Sequence, residues 1–316
     1  MFDCIIIGAG PAGLTAAIYL IRKKANLVVI TQKVGGQIVD GPLMENFPGF
    51  EKITGLEFAQ KMRAQAEKLD AKIIEGAEVK KITKVAENYE VEGNGFEKMQ
   101  AKSIIISSGK KPRKLKVPGE DKFMGKGISP CVTCDGPLFT DKSVAVIGGG
   151  NSAISAALEL EKYAAKVYIL NLGQNLIGEE VRLDKIKKSA KIEVIPQAKI
   201  SEIIGGNFVE KIKYIKLSAD RKDLANGAEK EIAVSGIFVE IGWEPSTKYL
   251  EGFVELSPQK EIKISANNET DISGVFAAGD VTNVKYKQAV IACGEGAKAA
   301  LNAWDYLTKS QITNSK

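Results

Sequence analysis

Short, almost wholly apolar runs punctuate the chain: Cys4-Ile5-Ile6-Ile7, Leu27-Val28-Val29-Ile30, Val144-Ala145-Val146-Ile147 and Val167-Tyr168-Ile169-Leu170. Runs of this length without polar alternation predict strands buried on both faces, as in a parallel sheet. A helical pattern joins the members of each pair, from Leu14 to Leu20 in the first and from about Ala153 to Leu160 in the second. The same strand–helix–strand order therefore occurs twice. A third element, Ser273-Gly274-Val275-Phe276-Ala277-Ala278-Gly279-Asp280, reads as a turn, a strand and a glycine–aspartate corner. A long helix follows, from about Gln288 to Tyr306. Two other stretches alternate apolar and polar residues. Glu75 to Gln100, with Gly93-Asn94-Gly95 as a turn signal, predicts an antiparallel accessory sheet, and Ala198 to Ile241 predicts another.

Each leading strand runs into a glycine-rich turn, Gly8-Ala9-Gly10-Pro11-Ala12-Gly13 in the first unit and Gly148-Gly149-Gly150-Asn151-Ser152-Ala153 in the second. The first glycine permits a tight turn, and the second lets backbone approach a pyrophosphate. The third position, Gly13 or Ala153, must be small so that helix and strand pack closely. Phosphates then sit on unpaired N–H groups at the helix N-terminus. A nucleotide-free tight turn is the plainer reading of either copy. Two copies, each between a strand and a helix, predict an α/β fold of two Rossmann-like nucleotide-binding domains. Proline-marked, charged crossings at Lys110 to Gly119 and Glu240 to Thr247 suit hinges. Residues 1–112 and 245–316 are thus expected to form one discontinuous domain, with residues 116–241 inserted in it.

A length of 316 residues suits two domains, and 44% apolar with 26% charged residues suits a globular protein. The formal charge of +5 is scattered, and basic runs such as Lys110-Lys111-Pro112-Arg113-Lys114 are short. They read as solvated surface, or as a docking surface for an acidic protein, and no nucleic-acid motif accompanies them. No apolar run approaches the roughly 18–20 residues of a membrane span. The N-terminus enters a strand at once, without a basic segment or cleavage site, so a cytoplasmic location is expected.

Four cysteines occur, which excludes a disulfide-stapled scaffold. Cys131-Val132-Thr133-Cys134-Asp135 carries the candidate chemistry. Thiols at i and i+3 meet if the backbone turns between them, and such a pair commonly has one thiol of lowered pKa. Half a zinc site is the alternative, but zinc takes about four ligands and the chain has no histidine, so no metal is expected. Cys4 and Cys293 stand alone, in a strand and a helix, and are expected to be buried packing residues.

Over its whole length the chain resembles the low-molecular-weight thioredoxin reductases. It is also similar to the reductase core of the alkyl hydroperoxide reductase flavoprotein. The resemblance is carried by the glycine turns and the cysteine motif above, and by Gly35-Gly36-Gln37, Glu45-Asn46-Phe47-Pro48-Gly49 and Ser107-Ser108-Gly109. Val117-Pro118-Gly119-Glu120, Phe276-Ala277-Ala278-Gly279-Asp280 and Tyr286-Lys287-Gln288-Ala289 extend it. It implies the three-layer FAD/NAD(P)-type fold, a homodimer, and FAD in the discontinuous domain. Gly8, Gly10 and Gly13 would hold the pyrophosphate, with Pro11 and Ala12 also in the FAD set, and Thr31 to Gln37, including Gly36, would run beside the adenosine and flavin. Asn46 would lie at the isoalloxazine ring, Gly279 and Asp280 at the ribityl chain, and Gln288 with Ala289 at the pyrimidine edge. Gly109 and Lys287 complete that set. The implied chemistry is reduction of a protein disulfide, with Cys134 facing the flavin, Cys131 attacking the partner and Asp135 as general acid and base. The implied partner is thioredoxin or a thioredoxin-like protein, with a peroxidase-linked carrier as the alternative. No thioredoxin-like domain precedes Met1-Phe2-Asp3, so the peroxidase role is expected to need a separate carrier.

The second glycine turn departs from that pattern. Gly148, Gly150, Asn151, Ser152 and Ala153 suit an NAD(P)-type dinucleotide. The NADPH-dependent members, however, follow the next strand with a His-Arg-Arg type motif that holds the 2′-phosphate. Here the run is Asn171-Leu172-Gly173-Gln174-Asn175-Leu176-Ile177-Gly178-Glu179-Glu180, with two acids and no cation before Arg182. An NADH site prefers an acid at the strand end, and Asn171 is neutral. Ile154-Ser155-Ala156-Ala157 also replaces the acidic pair usual early in that helix. Three readings stay open: NADPH or NADH held by other contacts, another donor such as reduced ferredoxin, or a flavin–dithiol redox switch without steady turnover.

Overall fold

The structure is a computed structural model and describes residues 1–40, 44–129, 132–217 and 229–313. The chain divides into two compact units, Met1–Lys111 with Glu244–Lys316, and Pro112–Trp243.

The first unit opens with β1 (Phe2–Ile7), α1 (Pro11–Arg22) and β2 (Leu27–Thr31). The helix α1 begins at Pro11, three residues before the hydrophobic pattern shows it. Proline has its φ preset for a first helical turn and loses no useful donor there. Then come α2 (Gly55–Lys68), β3 (Lys72–Glu75), β4 (Glu78–Val85), β5 (Asn88–Asn94), β6 (Met99–Ile106) and β7 (Lys110–Pro112). Strands β1 and β2 pair in parallel, and β1 pairs in parallel with β6. Side chains alternate across a strand, so Cys4 and Ile6 face one side and Ile5 and Ile7 the other. Both sides are core. Cys4 and Ile6 pack with Leu14 and Leu20 of α1, and Ile5 and Ile7 with Val91, Leu250 and Ile262. Burial on two faces explains why β1 reads as an unbroken apolar run.

The second unit runs α3 (Glu120–Phe123), β8 (Ile128–Ser129), α4 (Val132–Asp135), β9 (Ser143–Ile147), α5 (Asn151–Leu160) and β10 (Lys166–Asn171). It continues with α6 (Glu180–Lys188), β11 (Ile192–Pro196), β12 (Ala198–Gly205), β13 (Val209–Lys216), β14 (Glu229–Ala233) and β15 (Gly236–Val239). A five-stranded sheet has the order β11-β10-β9-β15-β8, and β12-β13-β14 form a separate antiparallel sheet. The chain then returns through β16 (Trp243–Pro245), which pairs with β7, to β17 (Val275–Ala277) and α7 (Ala289–Thr313).

Two expectations about the strands change, and one about a cysteine. The stretch Glu75 to Gln100 does not form a detached sheet. Strand β6 joins it to the parallel strands: Met99 and Ala101 pair antiparallel with β5, while Ile104 to Ile106 pair in parallel with β17. One edge of β6 thus serves two partners in succession. Within Ala198 to Ile241, β15 leaves the antiparallel sheet and pairs in parallel with β9 and β8. Its four residues, Gly236 to Val239, are all buried, which removes the alternation that marks a half-exposed strand. Cys4 is buried, and burial pushes its thiol up to about 12. Cys293, expected to be buried, is only partly so. Among the described residues no helix is long and apolar enough to cross a membrane.

The approach of α1 to β1 rests on one missing side chain. A Cβ at Gly13 would lie 1.9 Å from the carbonyl oxygen of Gly8 and 2.6 Å from Ser107 Oγ. Gly13→Ala is therefore expected to lower stability by about 1–3 kcal/mol, as overpacking does. Gly294 lies in α7 with nothing within 4 Å of an added Cβ. Gly294→Ala is expected to raise stability by about 0.5–1 kcal/mol. Urea unfolding of the two variants beside the parent checks both signs.

Candidate active site

Helix α1 begins with its N-terminus unsatisfied. Its N-cap, Gly10, is extended and offers no side-chain hydrogen bond, and no acid lies in the first turn. Helix α2 shows the ordinary solution, with Thr54 Oγ1 accepting from Glu57 N at 3.2 Å. Without such a cap, the first N–H groups of α1 and the positive end of its dipole are free to receive an anion. A Cβ at Gly10 would meet only Gly35 O, at 3.9 Å, so the space before the helix is open to a pyrophosphate. Helix α5 repeats the arrangement: Gly150 is its N-cap, without a side-chain bond or a first-turn acid, and an added Cβ there meets nothing within 4 Å.

Around α1 the structure gathers residues from distant parts of the chain. A Cβ on Gly36 would lie 3.5 Å from Gly10 Cα, and one on Gly279 would lie 3.0 Å from Ala12 Cβ. Gln37 Nε2 stands 3.6 Å from the corresponding point of Gly109. Asn46 Nδ2 donates to Gln288 Oε1 at 3.3 Å. Thr31 is buried, and its Oγ1 accepts from Ala9 N at 3.3 Å and donates to Lys33 O at 2.9 Å, so its hydroxyl supports the glycine turn. Pro11 starts α1 and Ala289 starts α7. Asp280 is partly buried. Burial pushes its carboxyl up, and the charges of Lys287 and Lys110 oppose that rise. Open glycine backbone, an uncapped helix and a carboxylate acceptor fit the phosphates and hydroxyls of a flavin dinucleotide.

Four residues have supporting roles that the sequence reading does not assign: Ser107 figures there only within a family motif, Lys110 only within a basic run expected at the solvated surface, and Glu261 and Glu295 not at all. Ser107 is buried, and its Oγ lies 3.0 Å from both Ile7 O and Gly8 O, tying β6 to the glycine turn. Glu295 on α7 is buried, with Oε2 accepting from Gly279 N and Thr282 Oγ1, each at 3.4 Å. An acid between Ala292 and Ala299 on a buried helical face was the available signal. Lys110 and Glu261 form an ion pair at 3.0 Å, and neither stands in a motif.

In the second unit the glycine turn meets the end of β10. Asn171 is buried, and its Oδ1 lies 2.1 Å from where a Cβ of Gly149 would be, so Gly149 must be glycine. The Asn171 amide closes its own loop, accepting from Gly173 N at 3.0 Å and donating to Asn175 O at 2.8 Å. Ile177 N donates to Gly149 O at 2.7 Å, and Asn151 Oδ1 accepts from Glu179 N at 3.1 Å. Arg182 pairs with Glu179 at 3.0 Å and donates to Ser155 Oγ. Ser152 is exposed on the first turn of α5, and Ala153 is buried beneath it. Gly148 lies against the end of β15, where its Cβ would be 2.2 Å from Glu240 O.

The cysteine motif lies at α4. Cys131 is outside the described residues, as is the side chain of Cys134. Val132 is buried and Asp135 is partly buried. Among the described residues no group of His, Cys, Asp and Glu is placed to hold a metal ion.

Residues 2–296 match the family described as pyridine nucleotide-disulphide oxidoreductase. The chain belongs to that family. This oxidoreductase is 38% identical over 309 residues to the F subunit of alkyl hydroperoxide reductase in Staphylococcus aureus. The match covers 98% of the chain, which spans only 60% of that relative's length. Thioredoxin reductase of Lactococcus lactis superposes with a TM-score of 0.84 at 31% identity, covering 98% of this chain and 100% of that one. Thioredoxin reductase of T. acidophilum superposes with a TM-score of 0.81 at 37% identity, covering 98% and 99%. Both resemblances read from the sequence hold, as does the Rossmann-type two-domain fold. The oxidoreductase is a flavoprotein of this enzyme class, and membership implies a flavin and a pyridine nucleotide.

Glu240 stands apart in this oxidoreductase. Burial pushes its carboxyl up to about 7. An acid whose folded value exceeds its ordinary one costs stability that builds as pH rises from about 4.5 to about 7, where only the unfolded chain is ionised, and is complete above 7. Glu240→Gln is expected to stabilise the protein at pH 8, by up to about 3 kcal/mol, and to have clearly less effect at pH 5, where only part of that cost has built up. Thermal midpoints of both forms at the two pH values check this.

Proposed function

We propose that the chain is an FAD-dependent disulfide reductase that passes electrons from a reduced nicotinamide to the Cys131/Cys134 pair and on to a thioredoxin-like protein. The observation that carries this reading is the union, in one chain, of an uncapped helix with its gathered flavin set and a CxxC motif at α4. The bound flavin would supply two-electron transfer between a nicotinamide and a disulfide.

The chain's own residues then have these roles. Gly10 and the first N–H groups of α1 hold the pyrophosphate, and Asp280 accepts a hydrogen bond from a sugar-alcohol hydroxyl. Gln288 and Asn46, bonded to each other, mark the flavin end of the site. Cys131, as thiolate, attacks the partner disulfide and forms a mixed disulfide, releasing one partner thiol. Cys134 then displaces the second partner thiol and closes the Cys131–Cys134 disulfide. Two electrons leave the dithiol and two protons go to the partner, with Asp135 carrying the proton at the thiol. Cytoplasmic location and a homodimer belong to the same reading. A peroxidase-linked carrier is the alternative partner, favoured by the likeness to the alkyl hydroperoxide reductase flavoprotein.

Charge at the end of β10 favours NADH over NADPH. Asn171 is neutral, Glu179 and Glu180 are acids, and Arg182 is committed to Glu179 and Ser155. A 2′-phosphate would meet more negative than positive charge there. A donor such as reduced ferredoxin is the second reading, favoured by the Asn171 amide, which bonds its own loop and places no acid toward a ribose.

Two experiments test this. Cys134→Ser is expected to keep bound flavin and to lose disulfide reduction to background, and full thioredoxin reduction by that variant would remove the dithiol from the route. Anaerobic bleaching of the flavin absorbance by NADH is expected to be at least about tenfold more efficient than by NADPH, a difference of about 1.4 kcal/mol. Bleaching by reduced ferredoxin alone would assign the donor to the second reading.

A further inference from the structure

Three charged side chains meet beside Asp280 without pairing to it. Glu261 Oε1 accepts from Lys110 Nζ at 3.0 Å and from Lys287 Nζ at 3.2 Å. All three are largely buried, with side-chain exposures of 18% for Lys110 and Glu261 and 22% for Lys287. Lys287 also donates to the carbonyl of Thr282, two residues past Asp280. Burial pushes the Glu261 carboxyl up, but the two lysines' hydrogen bonds and charges carry it below its ordinary range. Both lysines act on Asp280 through their charge, yet among the described residues the Asp280 carboxylate has no hydrogen bond or ion pair. The corner that carries it is held from the other side by Glu295, through Gly279 N and Thr282 Oγ1.

We propose that Glu261 is a positioning residue that holds Lys110 and Lys287 away from Asp280, so that this carboxylate stays open as an acceptor for a ligand hydroxyl. The ligand class is the polyhydroxy chain of a flavin dinucleotide, and the inference rests on the function proposed above. Largely buried lysines need a nearby carboxylate. Without Glu261 the carboxylate whose charge both lysines already act on is Asp280, and an ammonium bonded there would occupy the lone pairs a hydroxyl needs. With Glu261 in place the same lysines act at a distance and favour the charged carboxylate over the neutral one.

The test is FAD binding by the apoprotein, followed by quenching of flavin fluorescence from pH 8 down to the lowest pH at which each protein stays folded, for the parent, Glu261→Gln and Lys110→Met. For the parent, affinity should fall as pH drops and Asp280 takes up a proton. Glu261→Gln should weaken FAD about tenfold or more at pH 7.5, the loss of a charge-assisted hydrogen bond. Lys110→Met leaves Lys287 on Glu261 and removes one cation. It should shift the loss of affinity upward by about half a pH unit, with little change at pH 8. Unchanged affinity and pH profile in both variants, or a lowered thermal midpoint with the profile intact, would overturn the proposal and leave the triad a structural clasp. If Glu261→Gln does not fold, the Lys110→Met profile decides alone. Absence of FAD binding by the parent would instead overturn the proposed function.

Discussion

The contact between Gly13 and the carbonyl oxygen of Gly8 sets the geometry of the first unit. At that separation α1 lies against β1 with no side chain between them. The helix N-terminus is then fixed beside the glycine turn, with its first N–H groups left uncapped. Gly279 comes within contact of Ala12 on the same helix, so the β17 corner and Asp280 are placed by the same approach. Gly296 of α7 repeats the device, since its Cβ would be 2.1 Å from Ala12 O. Close packing here is a matter of excluding Cβ atoms, and a single methyl group would displace several chain segments together.

Much of this was legible in the sequence because burial on both faces leaves a plain signature. The apolar runs at β1, β2, β9 and β10 are unbroken for that reason, and glycine at fixed offsets marks the turns between strand and helix. The grouping of Asn46 with Gln288, and of Gln37 with Gly109, followed from the resemblance to a family. Nothing in local pattern joins residues so far apart. What stayed hidden was pairing choice. Strand β6 gives one edge to β5 and then to β17, and β15 joins a parallel sheet directly after an antiparallel one. Such partners are decided by tertiary packing, to which local periodicity is blind. The roles of Ser107, Glu261 and Glu295 were missed for a related reason. Each acts by reaching a backbone atom or an ion on another segment, and none carries a spacing rule.

The two glycine turns show how one local device can be kept while its surroundings change. Both helices start uncapped and without a first-turn acid. Around α1 the neighbouring segments leave open backbone. Around α5 the loop after β10 folds back, with Asn171 against Gly149 and Ile177 bonded to its carbonyl. An uncapped helix start is common to both turns. Discrimination between ligands is left to the loop that follows the second strand.

A chain without histidine has an unusual relation to acidity. Ordinary carboxylates are fully charged by pH 6 and ordinary lysines remain so beyond pH 9. The surface potential of this protein is therefore nearly constant across the range in which most proteins gain or lose imidazolium charge. Glu240, placed at the end of β15 beside the second glycine turn, does titrate there. Its proton places a charge change next to the second glycine turn, so acidification of the medium would register there as a local field while the field of the many surface lysines and carboxylates changes little.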